Sequence, residues 1–273
     1  MIGVSARQDS LWSALIGLWR RRELIWFLTL DALRKQVPGA VLGLWWLLVK
    51  PLLVVGLYAF VFTVVFRPAQ GSAVGAHDYI VILLSGMVPW LLLSEPLIAA
   101  SGSIASNAPL LNKVMFPVEV FPVSRVLGAL VPGLVMLGAV SAILLQQGRL
   151  GGWAGAVLLA VLVEMIFVMG LAWGVAAVCV TVPDFRQALP FLLNVWFFAS
   201  PVVYLPAMVP VEWVWLTQFN PMWPVIGVFR SLLMENVLPS AGQVGIMSLW
   251  AGGSFLGGYL LFLKRRAMFA DLV

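Results

Sequence analysis

Cysteine, histidine and lysine are almost missing from this chain, and each shortage removes a class of chemistry. Cys179 is the one cysteine among 273 residues, which excludes a disulfide framework and a thiolate metal cluster. The single histidine, His77, leaves no His-rich metal site within one chain. The four lysines are followed by Gln36, Pro51, Val114 and Arg265, so no Gly-rich loop ends in the Lys-Ser or Lys-Thr pair of a phosphate-cradling P-loop. Charge is scarce as well. Charged residues make up 10% of the chain, against about 25% in soluble domains. Hydrophobic residues make up 62%, and the mean hydropathy is +1.04. This composition describes an integral membrane protein that does not hydrolyse ATP through a Walker fold of its own. Neither a metal site nor a catalytic constellation is expected.

A helix needs about 20 apolar residues to cross the hydrocarbon core of a bilayer. Six segments qualify: Val41–Phe66, Tyr79–Ala100, Val118–Leu145, Trp153–Val182, Ala188–Leu205 and Val244–Leu263. The expected architecture is all-α, a single transmembrane domain over residues 1–273 with six spans. Residues 1–40 precede the first span, and a proline-broken apolar stretch, 206–240, precedes the last. No cleavable signal peptide is expected, because Leu24–Leu30 is too short and lacks a small-residue cleavage site behind it.

An even span count puts both termini on one side, and the basic residues say which. Arg7, Arg20, Arg21, Arg22, Arg34, Lys35, Lys113, Arg125, Arg186, Lys264, Arg265 and Arg266 fall on the side of the termini. Arg67, Arg149 and Arg230 fall on the other. Twelve against three places both termini in the cytoplasm by the positive-inside rule. The net charge of +5 therefore reports topology rather than a nucleic-acid partner.

Two places on that side carry more information. Asp9 and Ser10 suit the cap of a helix starting near Leu11. Leu11, Trp12, Leu15, Ile16, Leu18 and Trp19 then share one arc of it. This predicts an amphipathic interface helix with Arg20, Arg21 and Arg22 toward anionic membrane lipid; the alternative is an ordinary lead-in helix with snorkelling arginines. In the loop Ser101–Pro117, Asn107-Ala108-Pro109 reads as a cap, Leu110–Met115 as a short helix and Pro117 as its stop. That element is either a lever for a cytoplasmic partner or a tight turn between spans.

Ionisable residues inside spans are costly and are functional candidates by default. Lys50 lies about 16 Å from Gly39 along a helix, whereas Glu164, on a span entering from outside, remains about 27 Å from its inner end. A direct pair is not favoured by that difference of roughly 10 Å in depth. Glu95, Glu119, Arg125 and Asp184 fall near the cytoplasmic boundary. A lone mid-span glutamate without a clustered base or second acid gives little support to catalysis.

Several segments, in order and spread over residues 20–235, resemble the permease subunit of bacterial ABC exporters for polysaccharides, most closely the O-antigen type. They are Val41-Leu42-Gly43-Leu44-Trp45-Trp46 with Lys50-Pro51-Leu52-Leu53, and Leu84-Ser85-Gly86-Met87-Val88-Pro89-Trp90. Next come Phe116-Pro117-Val118-Glu119-Val120-Phe121-Pro122 and Val182-Pro183-Asp184-Phe185-Arg186. The last are Trp196-Phe197-Phe198-Ala199-Ser200-Pro201-Val202-Val203-Tyr204 and Asn220-Pro221-Met222-Trp223-Pro224. Two features depart from the family: Gln36-Val37-Pro38 in place of a basic and aromatic run, and Lys50 in place of an uncharged residue before Pro51.

The resemblance implies a homodimer in the bacterial inner membrane, moving undecaprenyl-diphosphate-linked polysaccharide, with capsule and teichoic acid as alternative cargoes. ATP and Mg would be held by a separate cytoplasmic ATPase dimer. It implies coupling to that ATPase through Asn107, Pro109, Leu110, Leu111 and Lys113. It also implies a pair of short re-entrant helices at the external face, capped by Asn220, Pro221 and Pro224, with Arg230 near the exit. Sugar faces pack on aromatic rings, so Tyr58, Phe62, Trp90, Trp196, Phe197, Phe198 and Lys50 are candidates for the translocation path. Arg20, Arg21, Arg22, Arg34 and Lys35 are candidates for a diphosphate entrance. An ion-coupled secondary transporter using Glu164 and Lys50 is the alternative from another class.

Overall fold

The computed structural model of the chain describes residues 11–35, 42–61, 76–108, 117–206 and 209–269. Those residues form helices and connecting turns with no strand among them, as a bilayer demands of a chain that must satisfy its backbone internally. In chain order the helices are α1 (Leu11–Arg20), α2 (Arg22–Lys35), α3 (Trp46–Phe60), α4 (Ala76–Ser101) and α5 (Val120–Gln146). They continue with α6 (Val157–Thr181), α7 (Pro183–Ala199), α8 (Val214–Gln218), α9 (Met222–Arg230) and α10 (Ala241–Arg265).

Helices α4, α5, α6 and α10 are each long and apolar enough to cross a membrane. The expected first and fifth spans appear as shorter helices: α3 has 15 residues and α7 has 17, or roughly 22 and 25 Å. The chain after Val61 up to 75 lies outside the described residues. The fifth helix also begins earlier than hydropathy suggests, at Pro183 rather than Ala188. Pro183 occupies the first turn, where a missing N–H costs nothing, and Asp184 faces the positive helix end. It ends at Ala199 because Ser200 precedes Pro201 and takes extended backbone, φ −103° and ψ 148°. The last long helix starts at Ala241 behind a reciprocal cap. The Ser240 hydroxyl accepts from the Gln243 N–H at 3.2 Å, and the Gln243 side chain accepts from the Ser240 N–H at 3.2 Å.

The N-terminal helices break at Arg21, and α2 docks by its apolar face on the bundle, with Leu18 of α1 packed beside it. Ile25, Leu28, Thr29 and Ala32 are buried, and α2 lies along α5, where Gly128 sits beside Leu33 and the Thr29 carbonyl. Trp19, Trp26 and Phe27 remain exposed, and the Arg22 guanidinium sits 5.9 Å above the Trp19 ring.

The centre of the bundle is α4, buried without a break from Ile80 to Trp90 and packed against α5, α6 and α9. Small residues allow the close approaches that replace hydrophobic pressure between helices in lipid. Gly133 of α5 receives Leu92, whose Cδ2 would lie 2.5 Å from any added Cβ. Helices α6 and α10 cross at Gly170 and Gly258, where a Cβ on Gly258 would meet the Gly170 carbonyl. The Ser254 hydroxyl reinforces the crossing by donating to the Phe167 carbonyl at 3.0 Å. A second core surrounds Trp173, which contacts Phe255 and Tyr259 edge-on or tilted, with ring centroids 5.2 and 5.0 Å away, and donates to the Glu119 carbonyl.

One end of the bundle collects basic side chains from separate elements. The Arg125 guanidinium donates to Ser106 at 3.2 Å, and that of Arg186 lies over Gly102. Arg265 reaches Thr181, and Arg266 is ion-paired with Glu119. These contacts bring together residues that hydropathy alone assigns to one side.

Candidate functional site: a charged cleft, an aromatic wall and two polar clips

Lys50 and Glu95 line one cleft of about 390 Å³ between α3, α4 and α5, together with Trp46, Leu47, Pro51, Leu53, Val54, Leu91 and Pro132. Both side chains are exposed to this space. Their meeting follows from antiparallel travel. Lys50 lies seven residues after Gly43, Glu95 lies six before Ser101, and each is therefore roughly 10 Å from the same end. Charges within apolar helices are tolerated where they face water or protein, and this cleft gathers two of opposite sign in an otherwise apolar lining. Glu95 was the residue that sequence reasoning did not place in one cleft with Lys50. Its signal was the matching distance from the ends of two consecutive spans.

Trp90, Trp196, Phe197 and Phe198 are brought together. Trp90 of α4 meets Trp196 of α7 edge-on at 6.0 Å and Phe197 at 5.4 Å, and Phe197 meets Phe198 edge-on at 5.2 Å. Trp90 is buried, Trp196 and Phe197 are half-buried, and Phe198 is 67% exposed. The cluster is a wall whose outer face alone is open. Tyr58 lies on α3 but its side chain is outside the described residues, as is Phe62 altogether.

The turn after α7 is held by two polar clips. Asn220 uses both ends of its amide. Its Oδ1 accepts from Trp196 Nε1 and from the Met222 N–H, both at 3.0 Å, and its Nδ2 donates to the Ala199 carbonyl at 2.9 Å and Ser200 Oγ at 3.0 Å. Pro221 flanks the start of α9, and Pro224 is buried in its first turn. Arg230, at the other end of α9, is only 5% exposed. Its guanidinium donates to the carbonyls of Tyr204 at 3.1 Å, Val202 at 3.0 Å and Ile82 at 3.3 Å. Gly86 makes room for this clip, since a Cβ there would stand 2.6 Å from the Val202 oxygen. Arg230, which the sequence suggests near an exit, is thus a brace between α4, α9 and the 200–204 turn.

The remaining candidates are more scattered. Asn107 closes the short turn Ala105–Asn107 and donates to the Ser103 carbonyl at 2.7 Å. Pro109, Leu110, Leu111 and Lys113 lie outside the described residues. Arg20, Arg21, Arg22 and Arg34 are exposed on or beside α1 and α2; Lys35 ends α2, its side chain outside the described residues. Glu164 is fully buried on α6, and neither of its carboxylate oxygens has a hydrogen-bond partner among the described residues. The structure therefore does not join it to Lys50.

A helical membrane bundle with these features has a family. The model of the ABC-2 type transporter matches residues 23–234. The chain belongs to the ABC-2 type transporter family. Among its curated relatives is the O-antigen export system permease protein RfbA of Myxococcus xanthus, 27% identical over 265 residues, covering 94% of this chain and 97% of that protein. Two proteins of the same description from Klebsiella pneumoniae are 23% and 24% identical, each covering 92% of this chain and 95% of their own length. Family membership makes this ABC-2 chain a multi-pass transport subunit rather than an enzyme, working with an ATP-binding subunit. The match begins at Glu23 and ends at Met234, so it spans α2 to the turn after α9, including both clips and the charged cleft.

Proposed function

We propose that this chain is the membrane permease of an ATP-driven exporter that moves lipid-linked polysaccharide, of the O-antigen type, from the cytoplasm across the inner membrane. The observation that carries this reading is near-full-length similarity to permeases named for O-antigen export. Two features of the bundle support it. Helices α3 and α7 leave Leu52, Leu53, Leu57, Phe191, Val195 and Phe198 exposed, an apolar surface suited to a second copy of the chain around a shared path. Beside it, the Trp90–Phe198 wall suits sugar faces, and Lys50 with Glu95 suits a diphosphate and hydroxyls.

The remaining parts of the proposal follow from this frame. The basic end of the bundle faces the cytoplasm, by the charge bias of the sequence. ATP and Mg bind to a partner ATPase dimer, and Asn107 to Lys113 transmit its motion. Arg20, Arg21, Arg22, Arg34 and Lys35 attract the diphosphate at the entrance. Asn220, Pro221, Pro224 and Arg230 shape the external gate as a braced turn.

Deleting the gene for this chain and analysing the lipid-linked glycan that accumulates tests the reading. Trapped undecaprenyl-diphosphate-linked O-antigen inside the cell, with loss of surface glycan, is the expected result. A trapped capsule or teichoic-acid precursor would reassign the cargo, and normal surface glycan would overturn polysaccharide export. Lys50 and Glu164 are not brought together, so the ion-coupled reading gains nothing from the fold.

A further inference from the structure

A furrow runs between α6, α10 and the start of α7, away from the charged cleft and the aromatic wall. Its inner part, about 310 Å³, is almost wholly apolar, with Gly174 and Gly257 as floor and Leu171 and Phe185 as walls. Leu261 belongs both to this part and to a second space of about 510 Å³ lined by Thr181, Lys264 and Arg265. The two spaces share Leu261 and succeed one another along α6 and α10, so together they make a furrow with an apolar part and a cationic part. From Gly170 to Thr181, and from Ser254 to Arg265, it follows roughly 16 Å of helix, close to the thickness of one leaflet, about 15 Å.

We infer that this furrow holds one anionic phospholipid of the cytoplasmic leaflet, an acyl chain along the glycine floor and the phosphate at Lys264 and Arg265. The occupant follows from complementarity. Only a membrane-borne molecule offers an apolar tail of one-leaflet length joined to an anion at the interface. Lys264 is exposed, and Arg265 is half-buried and oriented by its contact with Thr181, so the headgroup meets one mobile and one positioned cation. The floor is built for a slender occupant. Gly258 and Gly170 hold the helices together, whereas a Cβ on Gly257 meets nothing within 4 Å and one on Gly174 meets only Gly258 at 3.8 Å. Packing between the two helices thus does not demand glycine at 257, and open space remains there. The assignment to the cytoplasmic leaflet rests on the orientation proposed above; binding itself does not depend on polysaccharide export.

The test is native mass spectrometry of the full chain released from nanodiscs containing equal phosphatidylglycerol and phosphatidylcholine. The native chain should retain phosphatidylglycerol selectively. Lys264→Gln should lower that selectivity roughly fivefold, the effect of one interfacial cation. Gly257→Leu, which fills the furrow without touching the helix crossing, should lose the bound lipid. Gly253→Leu, also with open space but outside the furrow, should behave as the native chain. Equal retention of the two lipids would overturn the inference, as would native retention by Gly257→Leu. Displacement of phosphatidylglycerol by inorganic phosphate alone would reduce the site to an anion site and overturn the lipid. A changed oligomeric state of Gly257→Leu with lipid retained would assign the furrow to a second copy instead.

Discussion

Replacing Arg230 by methionine isolates the brace that holds the turn after α7. The substitution keeps the apolar stem and removes three donors. The Ile82 carbonyl keeps a partner, because Ser85 Oγ donates to it at 2.9 Å. The Val202 and Tyr204 carbonyls lose the guanidinium contacts at 3.0 and 3.1 Å. A buried acceptor left unpaired costs about 1–3 kcal/mol, so two give roughly 4 kcal/mol, of which methionine burial returns about 1 kcal/mol. The net loss of roughly 3 kcal/mol corresponds to a fall of roughly 6–12 °C in the midpoint of thermal unfolding for a chain of this size. Arg230→Lys keeps a cation but not the planar fork, so its loss should be about half as large. Gly86→Ala attacks the same brace from the other side, pressing on the Val202 carbonyl and on Nη2 of Arg230, 3.2 Å away. Combined with Arg230→Met it should therefore be far less than additive. Thermal unfolding of the detergent-solubilised full chain, followed by far-UV circular dichroism, reads all four variants. An Arg230→Met midpoint equal to that of the native chain, or strictly additive losses, would refute the brace.

Other consequences are as direct. Gly258→Ala places a Cβ against the Gly170 carbonyl and should cost about 1–3 kcal/mol or prevent folding, whereas Gly257→Ala should lie within about 0.5 kcal/mol of native; solubilised yield and unfolding midpoint distinguish them. Asn220→Asp keeps the acceptors for Trp196 and Met222 but sets a carboxylate oxygen against the Ala199 carbonyl where Nδ2 donated, so it should lose about as much as Asn220→Ala, roughly 2–4 kcal/mol in the same unfolding assay. In cells, Lys50→Glu and Glu95→Lys should each trap lipid-linked glycan, and the double exchange should restore more surface glycan than either alone; unimpaired export by both single variants would remove the cleft from the path. Ser240→Ala should cost about 1 kcal/mol and speed amide exchange at the start of α10, because it breaks one half of the reciprocal cap.

The long spans were legible because the bilayer imposes a length and an apolar composition that a linear reading detects directly. Arg125, Arg186, Arg265 and Arg266, far apart in sequence, make their contacts at one end of the bundle. Helix ends were less legible where prolines rather than hydropathy set them, as at Pro183 and Ser200-Pro201. The aromatic candidates Trp196, Phe197 and Phe198 were recognisable as a run, yet Trp90, more than a hundred residues away, joins them only through the packing of α4 on α7. The cleft shared by Lys50 and Glu95 illustrates the intermediate case. Depth along a span is arithmetic, so Glu95 was within reach of the sequence, but the rotation that turns both side chains into one cleft was not.

By itself, then, the sequence determined a helical membrane protein, the positions of its long spans and the lack of a nucleotide-binding loop. Those properties follow from composition and spacing along one dimension, measured against the thickness of a bilayer. Only the tertiary structure decided that Arg230 braces a turn, that Asn220 joins α7 to α9, that Lys50 and Glu95 line one cleft and that Gly170 meets Gly258. Each depends on the rotation and crossing of helices, which side-chain volume and hydrogen-bond satisfaction fix between segments far apart in the chain.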